Sequence, residues 1–263
     1  MKVFDRRTLL KATGYGLSLI AFSGCKTIMK SESHVENDWQ ECFFDSCTDD
    51  WTKHWFLDGS KARLSNSGKG MDFFAGSADD VDSCNAVLWT KQEFQGDLKI
   101  EYEYTRLDNA VRGVNIIYVQ ASGSGQGPYK HDILQWAALR TDPAMYFYFD
   151  HMNTYHISYA AFEGGMENDY IRARRYIPET EKGLKGTELI NEYHRTGLFR
   201  TGVPHKFLIV KRGNNLSMHI RNEEKELYCE WENKFLPPIY QGRIGLRHMC
   251  MRGARYKNFR IYC

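Results

Sequence analysis

The feature that most constrains the fold is a series of short segments in which apolar and polar residues alternate. In the stretch DLKIEYEYTRL, every second residue from Leu98 to Tyr104 is apolar or aromatic, which is the period of a strand with one buried face. Seven more short runs are rich in β-branched and aromatic residues: VNIIYVQA, AMYFYFDH, YHISYAAF, HKFLIVKRG, LSMHIRN, KELYCEWEN and GRIGLRHM. Many short strands at near-regular spacing predict an all-β sandwich or jelly roll.

Three connecting segments have a predictable character. The sequence RGNN at 212–215 predicts a hairpin turn. The sequence ASGSGQGP at 121–128 predicts a flexible loop that could act as a lid at one edge of a cleft. A helix is expected only around TELINEYHR at 187–195.

The first 25 residues have the character of an export signal and are excluded from the fold. The paired arginines of DRRTLLK resemble a twin-arginine signal. The apolar stretch that follows is too short to span a bilayer as a helix, which takes about 20 residues. It ends in FSGC, which resembles a lipobox. We predict a signal over 1–25 with a lipidated Cys25, a polar tether over 26–38 and one domain over 39–263. The protein would be exported to the periplasm or outer membrane and would touch a membrane only through its lipid anchor.

Charge separates the signal from the domain. The whole chain carries a net charge of +2, and residues 1–25 carry +3, so the remainder carries −1. A nucleic-acid-binding domain requires a basic surface, so we predict no nucleic-acid partner. We also expect a monomer. The RARR sequence at 172–175 is therefore a local cationic patch in a nearly neutral domain.

The cysteines and acidic residues indicate neither thiol chemistry nor a metal. Six cysteines follow Cys25, with no CxxC pair and no zinc-ribbon spacing. Export permits disulfides, but the twin-arginine route carries proteins that fold first in a reducing cytoplasm. We expect zero to two disulfides. Calcium could use the carboxylates of Asp79, Asp80 and Asp82, but a solvated turn is the preferred interpretation. We predict no metal and no cofactor.

Chemically functional residues are concentrated between 129 and 176. The strand DYIRARRY would place Tyr170, Arg172, Arg174 and Tyr176 on one face, because side chains alternate along a strand. The other candidates are His131, Gln135, Trp136, Tyr148, Asn153 and His156. Each has an ordinary structural interpretation when taken singly, such as packing or turn formation. Together they predict one shared site on a concave face.

Five segments together resemble the YesU-like family, a domain of unknown function with a concanavalin-type jelly roll found in bacterial polysaccharide-utilisation loci. They are AVLWTKQEFQGDLKIEYEY, HDILQW, FDHMNTYHISYAAF, DYIRARRY and GRIGLRHMCMRGARYKNFRIY. The resemblance covers roughly 40–263 and implies a single concanavalin A-like jelly-roll β-sandwich. The family includes an oligosaccharide dehydratase that acts in the degradation of ulvan, an algal polymer of uronic acids and sulfated rhamnose. The strand YIRARRY is also similar to the YFKAGxY strand of jelly-roll alginate lyases, with Tyr176 at the functional tyrosine and Arg172 at the lysine.

The resemblance implies elimination from a uronic acid, in which the C5 proton is removed and the group on C4 leaves. Negative charge then develops on the carboxylate, and a guanidinium group stabilises it. We predict that His131, His156, Tyr170 and Tyr176 are candidates for proton transfer. The predicted substrate-binding residues are Arg172, Arg174, Asn153, Gln135, Trp136 and Tyr148. The preferred function is dehydration of an acidic, ulvan-type oligosaccharide at its uronic acid end.

Three alternatives remain open. A sugar leaving from C4, in place of water, would make the protein a polysaccharide lyase. A non-catalytic glycan-binding lipoprotein would need aromatic platforms but no proton-transfer pair. A retaining glycosidase needs two carboxylates about 5–5.5 Å apart. Glu101 and Glu103 share a strand face, but the ExDxxE pattern is absent from the sequence.

Overall fold

The computed structural model describes residues 39–78, 81–178 and 183–263. The predicted signal and tether, including Cys25, lie outside these residues, as do Asp79 and Asp80. Within the described ranges the chain is mostly strand, with three 3₁₀ helices (Trp51–Lys53, Asp82–Cys84 and Ile133–Arg140) and one α-helix, α1 (Tyr146–Phe149). No helix in those ranges is long and apolar enough to cross a membrane.

The described strands form two eight-stranded antiparallel sheets. Sheet I contains β1 (Glu41–Asp45), β3 (Arg63–Ser67), β4 (Gly70–Phe74), β7 (Leu98–Arg106), β12 (Pro204–Arg212), β13 (Asn215–Arg221), β14 (Glu226–Glu232) and β16 (Gly253–Tyr262). Sheet II contains β2 (Trp55–Asp58), β5 (Ala86–Thr90), β6 (Phe94–Gln95), β8 (Asn115–Gly123), β9 (Met152–Phe162), β10 (Asp169–Tyr176), β11 (Glu188–His194) and β15 (Gln241–His248). Strands distant in sequence are neighbours, as in β7–β12 and β8–β15. The predicted all-β jelly-roll sandwich is confirmed.

The main core lies between the two sheets and is built by the alternation that the sequence displays. Residues of β7 are buried at every second position from Leu98 onwards. Tyr102 stacks on Phe207 and Phe259 of the same sheet, with ring centroids 4.8 and 5.2 Å apart. Tyr104 meets Tyr159 of sheet II edge-on at 5.3 Å. Large aromatic rings from both sheets therefore fill this layer, and they supply much of the apolar area that folding buries.

Two secondary-structure predictions are wrong. Residues 187–195, expected as a helix, form β11, which pairs with the edge of β10. Pairing satisfies backbone groups of β10 that a helix there would leave without partners. The run AMYFYFDH, expected as a strand, contains α1 instead. Four successive aromatic residues cannot alternate between a polar and an apolar face, whereas the helical turn buries Tyr148 and leaves Tyr146 exposed.

The turn predictions have mixed outcomes. Arg212 pairs with Asn215 across the β12–β13 hairpin, so the turn predicted from RGNN is confirmed. The segment 121–128, expected to be a flexible loop, instead prolongs β8 to Gly123 and then closes in a hydrogen-bonded turn. The Gly125 N–H donates to the Tyr129 carbonyl at 2.7 Å, and the Gly123 N–H donates to the His131 carbonyl at 2.9 Å.

One disulfide occurs among the described residues, within the expected range of zero to two. It joins Cys42 in β1 to Cys263, whose Cα atoms are 6.0 Å apart. The four remaining described cysteines are free and buried: Cys47, Cys84, Cys229 and Cys250. Burial raises the pKa of the Cys229 thiol to about 12, which keeps it protonated at neutral pH.

Candidate functional site

The outer face of sheet II, which points away from the main core, carries a row of polar and aromatic side chains. In strand register, Trp89 lies opposite Gly245, Gly245 opposite Tyr118, and Tyr118 opposite His156. The row continues through Arg174 to Glu188. Directly opposed residues of antiparallel strands project to the same side. Residues from six strands therefore line one surface.

A second row runs beside the first. Arg247 of β15 lies opposite Ile116 of β8, which lies opposite Ser158 of β9. Ser158 lies opposite Arg172 of β10, and Arg172 lies opposite Glu192 of β11. The polar side chains of the two rows, with Tyr176 added because its hydroxyl bonds to His156, form what we term the polar cluster. It consists of Tyr118, His156, Ser158, Arg172, Arg174, Tyr176 and Arg247.

The alternation of DYIRARRY is present in the structure. Ile171 and Ala173 belong to the core between the sheets, whereas Tyr176 belongs to the layer on the outer face. Arg175 faces the core side, where it donates to the Pro237 carbonyl and lies over the Tyr155 ring at 5.5 Å. The predicted outer-face set is therefore brought together, although irregular register separates Tyr170 from Arg172 in the pairing with β9.

His156 and Tyr176 form the centre of the polar cluster. The Tyr176 hydroxyl hydrogen-bonds to His156 Nδ1, and His156 Nε2 lies 2.7 Å from Ser158 Oγ. Burial, with the charges of Arg174, Arg172 and Arg247, holds the pKa of His156 well below its usual value. Burial also raises the pKa of Tyr176 well above its usual value, against the opposing charges of the same three guanidinium groups. Both groups are therefore neutral near pH 7.

The two predicted carboxylate-binding arginines differ in their contacts. Arg174 donates to Glu188 Oε1 at 2.5 Å and to Thr187 Oγ1 at 3.1 Å. Arg172 donates to the Tyr170 hydroxyl at 3.2 Å and lies over the Tyr170 ring at 4.6 Å. Its side chain is 28% exposed, and its nearest carboxylate oxygen, on Glu192, is 4.0 Å away. Arg172 is therefore the better placed of the two to receive a ligand, since Arg174 is already engaged by the chain.

Sequence reasoning missed three members of the cluster, Arg247, Tyr118 and Ser158. All three are buried on the outer face, and Trp89 stacks on Tyr118 with ring centroids 5.4 Å apart. The alternation of GRIGLRH puts Arg243, Gly245 and Arg247 on one side of β15, but this pattern alone does not mark Arg247 as a site residue. A charged residue on that side stands out only once β15 is known to be a central strand.

Two predicted substrate-binding aromatics belong to a packing layer over the outer face. Trp136 is 3% exposed and donates from Nε1 to the Lys130 carbonyl at 2.9 Å. Tyr148 is fully buried and its hydroxyl donates to Asp58 at 3.3 Å. Neither ring presents an open face in this structure. The Ile133–Arg140 helix and α1 carry them onto the sheet, and Phe149 of α1 contacts the Tyr176 ring edge-on at 6.4 Å.

The structure does not join the other three candidates to the polar cluster. His131 and Gln135 are exposed, and His131 lies against the turn at Gly125. Asn153 and His156 are three positions apart on β9, so their side chains point to opposite sides of the sheet. Within the described ranges, none of the three side chains hydrogen-bonds to a cluster member. Cys25, the predicted lipidation site, lies outside the described residues. Those ranges contain no group of three His, Cys, Asp or Glu side chains placed to hold a metal.

A groove of about 840 Å³ lies elsewhere, along β11, β13 and β14. Trp39, Tyr228 and Phe235 line it, together with Ile190. Tyr228 is 58% exposed and Phe235 is 88% exposed. This groove is more open to solvent than the polar cluster, but it contains no hydrogen-bonded His–Tyr pair.

Solved structures similar to this fold are of the lectin type. A protein of unknown function with a galectin-like fold from Bacillus subtilis matches with a TM-score of 0.65 at 16% identity, covering 85% of this chain and 97% of that chain. Basic winged bean lectin with Tn-antigen matches with a TM-score of 0.55 at 7% identity, covering 84% and 96%. Lectin UEA-II complexed with galactose matches with a TM-score of 0.53 at 8% identity, covering 84% and 97%. At these identities the likeness shows the fold alone, a lectin-type jelly roll. No protein-family model and no curated protein matches the chain.

Proposed function

We propose that this chain is a carbohydrate-active protein that binds an acidic oligosaccharide on the outer face of sheet II and removes water from its terminal uronic acid. The observation that carries the proposal is the neutral His156–Tyr176 pair surrounded by three guanidinium groups. The lectin-type fold supports a carbohydrate ligand, and the resemblance to the YesU-like family supports the elimination. The fold by itself does not specify a reaction.

The chemistry requires one proton to be removed from C5 and one to be delivered to the leaving hydroxyl on C4. A neutral imidazole accepts a proton, and a neutral phenol donates one. The His156–Tyr176 pair would gain the C5 proton and give a proton to the C4 hydroxyl, which leaves as water. The pair then returns to its starting protonation state. Nearby guanidinium charge would stabilise the carboxylate as negative charge develops on it.

Access sets a further requirement, because His156 and Tyr176 are almost completely buried. Arg172 is the most exposed member of the polar cluster, so the ligand would approach from its side. It would then displace part of the cover formed by α1, starting with Phe149 against Tyr176. Exclusion of water after binding would strengthen the charge interactions in the site.

The decisive experiment compares Tyr176→Phe with the wild-type protein on saturated oligosaccharides that end in a uronic acid. The wild-type protein should remove the mass of one water without shortening the chain, and ultraviolet absorbance of the conjugated acid should rise. Tyr176→Phe should lower kcat by about 10²–10⁴-fold, because proton transfer occurs only in the transition state. Its KM should change little.

Tyr159→Phe is the matched control. Tyr159 is also fully buried on β9, and its hydroxyl bonds to Tyr256 at 3.0 Å in the core, away from the outer face. Both variants lose one buried hydroxyl group, so both should show similar losses of stability. Only Tyr176→Phe should show a lower kcat. Shorter products would identify a lyase. Equal values of kcat for the two variants would mean that Tyr176 does not transfer a proton in the reaction.

The exposed aromatic groove favours a second candidate, a glycan-binding protein without catalytic activity. Aromatic rings provide stacking surfaces for sugars, and Tyr228 and Phe235 are exposed there. A Tyr228→Ala, Phe235→Ala double variant should then lose glycan binding, whereas Tyr176→Phe should retain it. Binding by the wild-type protein across a panel of uronate-ended oligosaccharides, with no loss of water, would favour this candidate.

A further inference from the structure

Several donor atoms of the polar cluster have no acceptor among the described residues. They are Arg247 Nε, Arg247 Nη1, Arg172 Nε and the Tyr118 hydroxyl, all of them buried. A buried donor without a partner loses its bonds to water and gains none in return. Such atoms are few in native proteins, and each requires an explanation. Other atoms of this kind, such as Arg140 Nη1 and Arg252 Nη2, occur elsewhere among the described residues, but these four lie together on one face of one sheet.

Arg247 is also held in place. Its Nη2 donates to the Pro143 carbonyl at 2.9 Å, and its guanidinium carbon lies 4.5 Å from the centroid of the Tyr148 ring. Tyr148 is fixed in turn by its hydrogen bond to Asp58. The two free nitrogens of Arg247 therefore cannot find other acceptors by a simple change of rotamer, because that change would break both contacts.

Arg175 shows what a fully partnered arginine looks like on the other side of the same sheet. It too is buried, donates to a proline carbonyl and lies over a tyrosine ring. Its remaining nitrogens reach the Pro237 and Tyr176 carbonyls. The chain thus satisfies every nitrogen of Arg175 and leaves two nitrogens of Arg247 open.

The register places Arg247 next to the proton-transfer pair. Tyr118 lies between Gly245 and His156 in one row, and Arg247 begins the adjacent row. Arg247 lies close to the Tyr118 hydroxyl, where it opposes the burial that raises the pKa of Tyr118, and its charge also acts on His156. An anion bound to the free nitrogens of Arg247 and to the Tyr118 hydroxyl would set the rest of its sugar against His156 and Tyr176.

We propose that Arg247, with Tyr118, binds the carboxylate of the reacting uronic acid. This inference rests on the proposed function for its substrate, although it concerns binding and can be tested without turnover. It replaces the sequence-based assignment of that role to Arg172 or Arg174. Glu188 occupies Arg174, and Arg172 lies on the side from which the ligand would approach. A carboxylate and a sulfate share the chemistry that a guanidinium group recognises, so the experiment must separate them.

The experiment measures binding by calorimetry in a Tyr176→Phe background, which suppresses turnover. The probes are a disaccharide ending in glucuronate, its counterpart ending in glucose, and a glucose-ended disaccharide carrying a 6-sulfate. Arg247→Met should weaken glucuronate binding by about 10–100-fold, the range for a charge-assisted hydrogen bond, and glucose binding by less than about twofold. Arg247→Lys should recover part of the affinity. Arg175→Lys, the matched control, should leave both affinities unchanged.

The outcomes separate the inference from the elimination. Glucuronate binding that is unaffected by Arg247→Met, or an equal loss for the acidic and neutral probes, would overturn the inference. A loss confined to the sulfated probe would also overturn it, because the site would then bind sulfate. If the wild-type protein releases no water but its preference for glucuronate depends on Arg247, the carboxylate site stands and the elimination fails. A thermal melt confirms that Arg247→Met is folded.

Discussion

Two buried clusters of guanidinium groups differ in whether the chain supplies their counter-ion. In the first, Arg106 and Arg252 each donate from Nε to Asp108 at 3.0 Å. Asp108 also accepts the Gly253 N–H at 2.8 Å and the Ala110 N–H at 3.0 Å. In the polar cluster, Arg247 has no carboxylate partner among the described residues. The first cluster contains its own carboxylate, although Arg252 Nη2 has no hydrogen-bond partner among the described residues, whereas Arg247 in the second cluster lacks a carboxylate.

The titration behaviour of the two clusters follows from this difference. Burial raises the pKa of Asp108, but the charge of Arg252, the Gly253 N–H and the charge of Arg106 outweigh burial and hold it below its usual value. In the polar cluster, burial and the charges of Arg174, Arg172 and Arg247 act in the same direction on His156 and lower its pKa. The first cluster therefore keeps the Asp108 carboxylate charged, whereas the polar cluster keeps the His156 imidazole neutral.

The largest effect should come from removing the carboxylate that Arg106 and Arg252 share. Asp108→Asn leaves Arg106 and Arg252 buried without a counter-ion, so the free energy of unfolding should fall by about 3–5 kcal/mol. Urea denaturation followed by fluorescence measures it. Asp72→Asn is the control, because Asp72 pairs with Arg255 where both side chains are about a quarter exposed. That variant should lose no more than about 1 kcal/mol. Equal losses would mean that burial of the charges does not distinguish the two pairs.

An intermediate effect should appear in the pH dependence of stability. The folded pKa of His156 is lowered, so the unfolded chain binds more protons as the pH falls below about 6.5. Stability contributed by neutral His156 is present above that pH and is lost on acidification, by up to about 1.4 kcal/mol per pH unit. Asp108 contributes in a lower window, since its stabilisation is lost only as the pH falls through its lowered folded pKa.

The variant His156→Gln should flatten the slope between about pH 6.5 and pH 5 in a series of urea titrations. Burial also lowers the pKa of His205 to about 4 and that of His248 to about 3. Both histidines contribute in this window and are present in both proteins, so the difference between the two proteins isolates His156. An unchanged slope would show that His156 titrates in the folded protein as it does in the unfolded chain, so that its pKa is not lowered by folding.

The smallest effect on stability should come from Arg247→Met. This change removes a buried charge that has no carboxylate partner and keeps an apolar side chain of similar length over the Tyr148 ring. The free energy of unfolding should change by less than about 1 kcal/mol or increase. Arg252→Met is the comparison, since it leaves Asp108 short of one partner and should be clearly destabilising. A large loss of stability for Arg247→Met would mean that the folded protein stabilises the Arg247 charge, which contradicts the view that it lacks a counter-ion.

The fold was predictable from the sequence because the alternation of apolar and polar residues along a strand indicates which side chains are buried. The period of β7 and the hairpin at Arg212–Asn215 depend on neighbouring residues alone. The strand at 188–194 was missed because its stability comes from the edge of β10, which is a tertiary contact. The aromatic run at 146–149 was assigned to a strand because aromatic residues favour strands, although their succession leaves no polar face.

The candidate site was predictable in part for the same reason. Alternation in DYIRARRY places Tyr170, Arg172, Arg174 and Tyr176 together, but it does not show which of the arginines already has a partner. Arg247 could not be found from its own segment, because its neighbours Ile116 and Val87 come from other strands. Local pattern assigns a residue to a face, and only the order of strands shows which residues share it.

The bond between Cys42 and Cys263 makes the described domain a covalent ring. The two ends of that ring also exchange backbone hydrogen bonds, from Gln40 N to the Cys263 carbonyl at 3.1 Å and from Cys263 N to the Gln40 carbonyl at 2.9 Å. A protease that cuts once at any turn between them opens the ring but releases no fragment. Nicked protein would gain only the mass of one water and would stay in one piece until a reductant separates the two fragments, so gel electrophoresis would reveal the cut only after reduction.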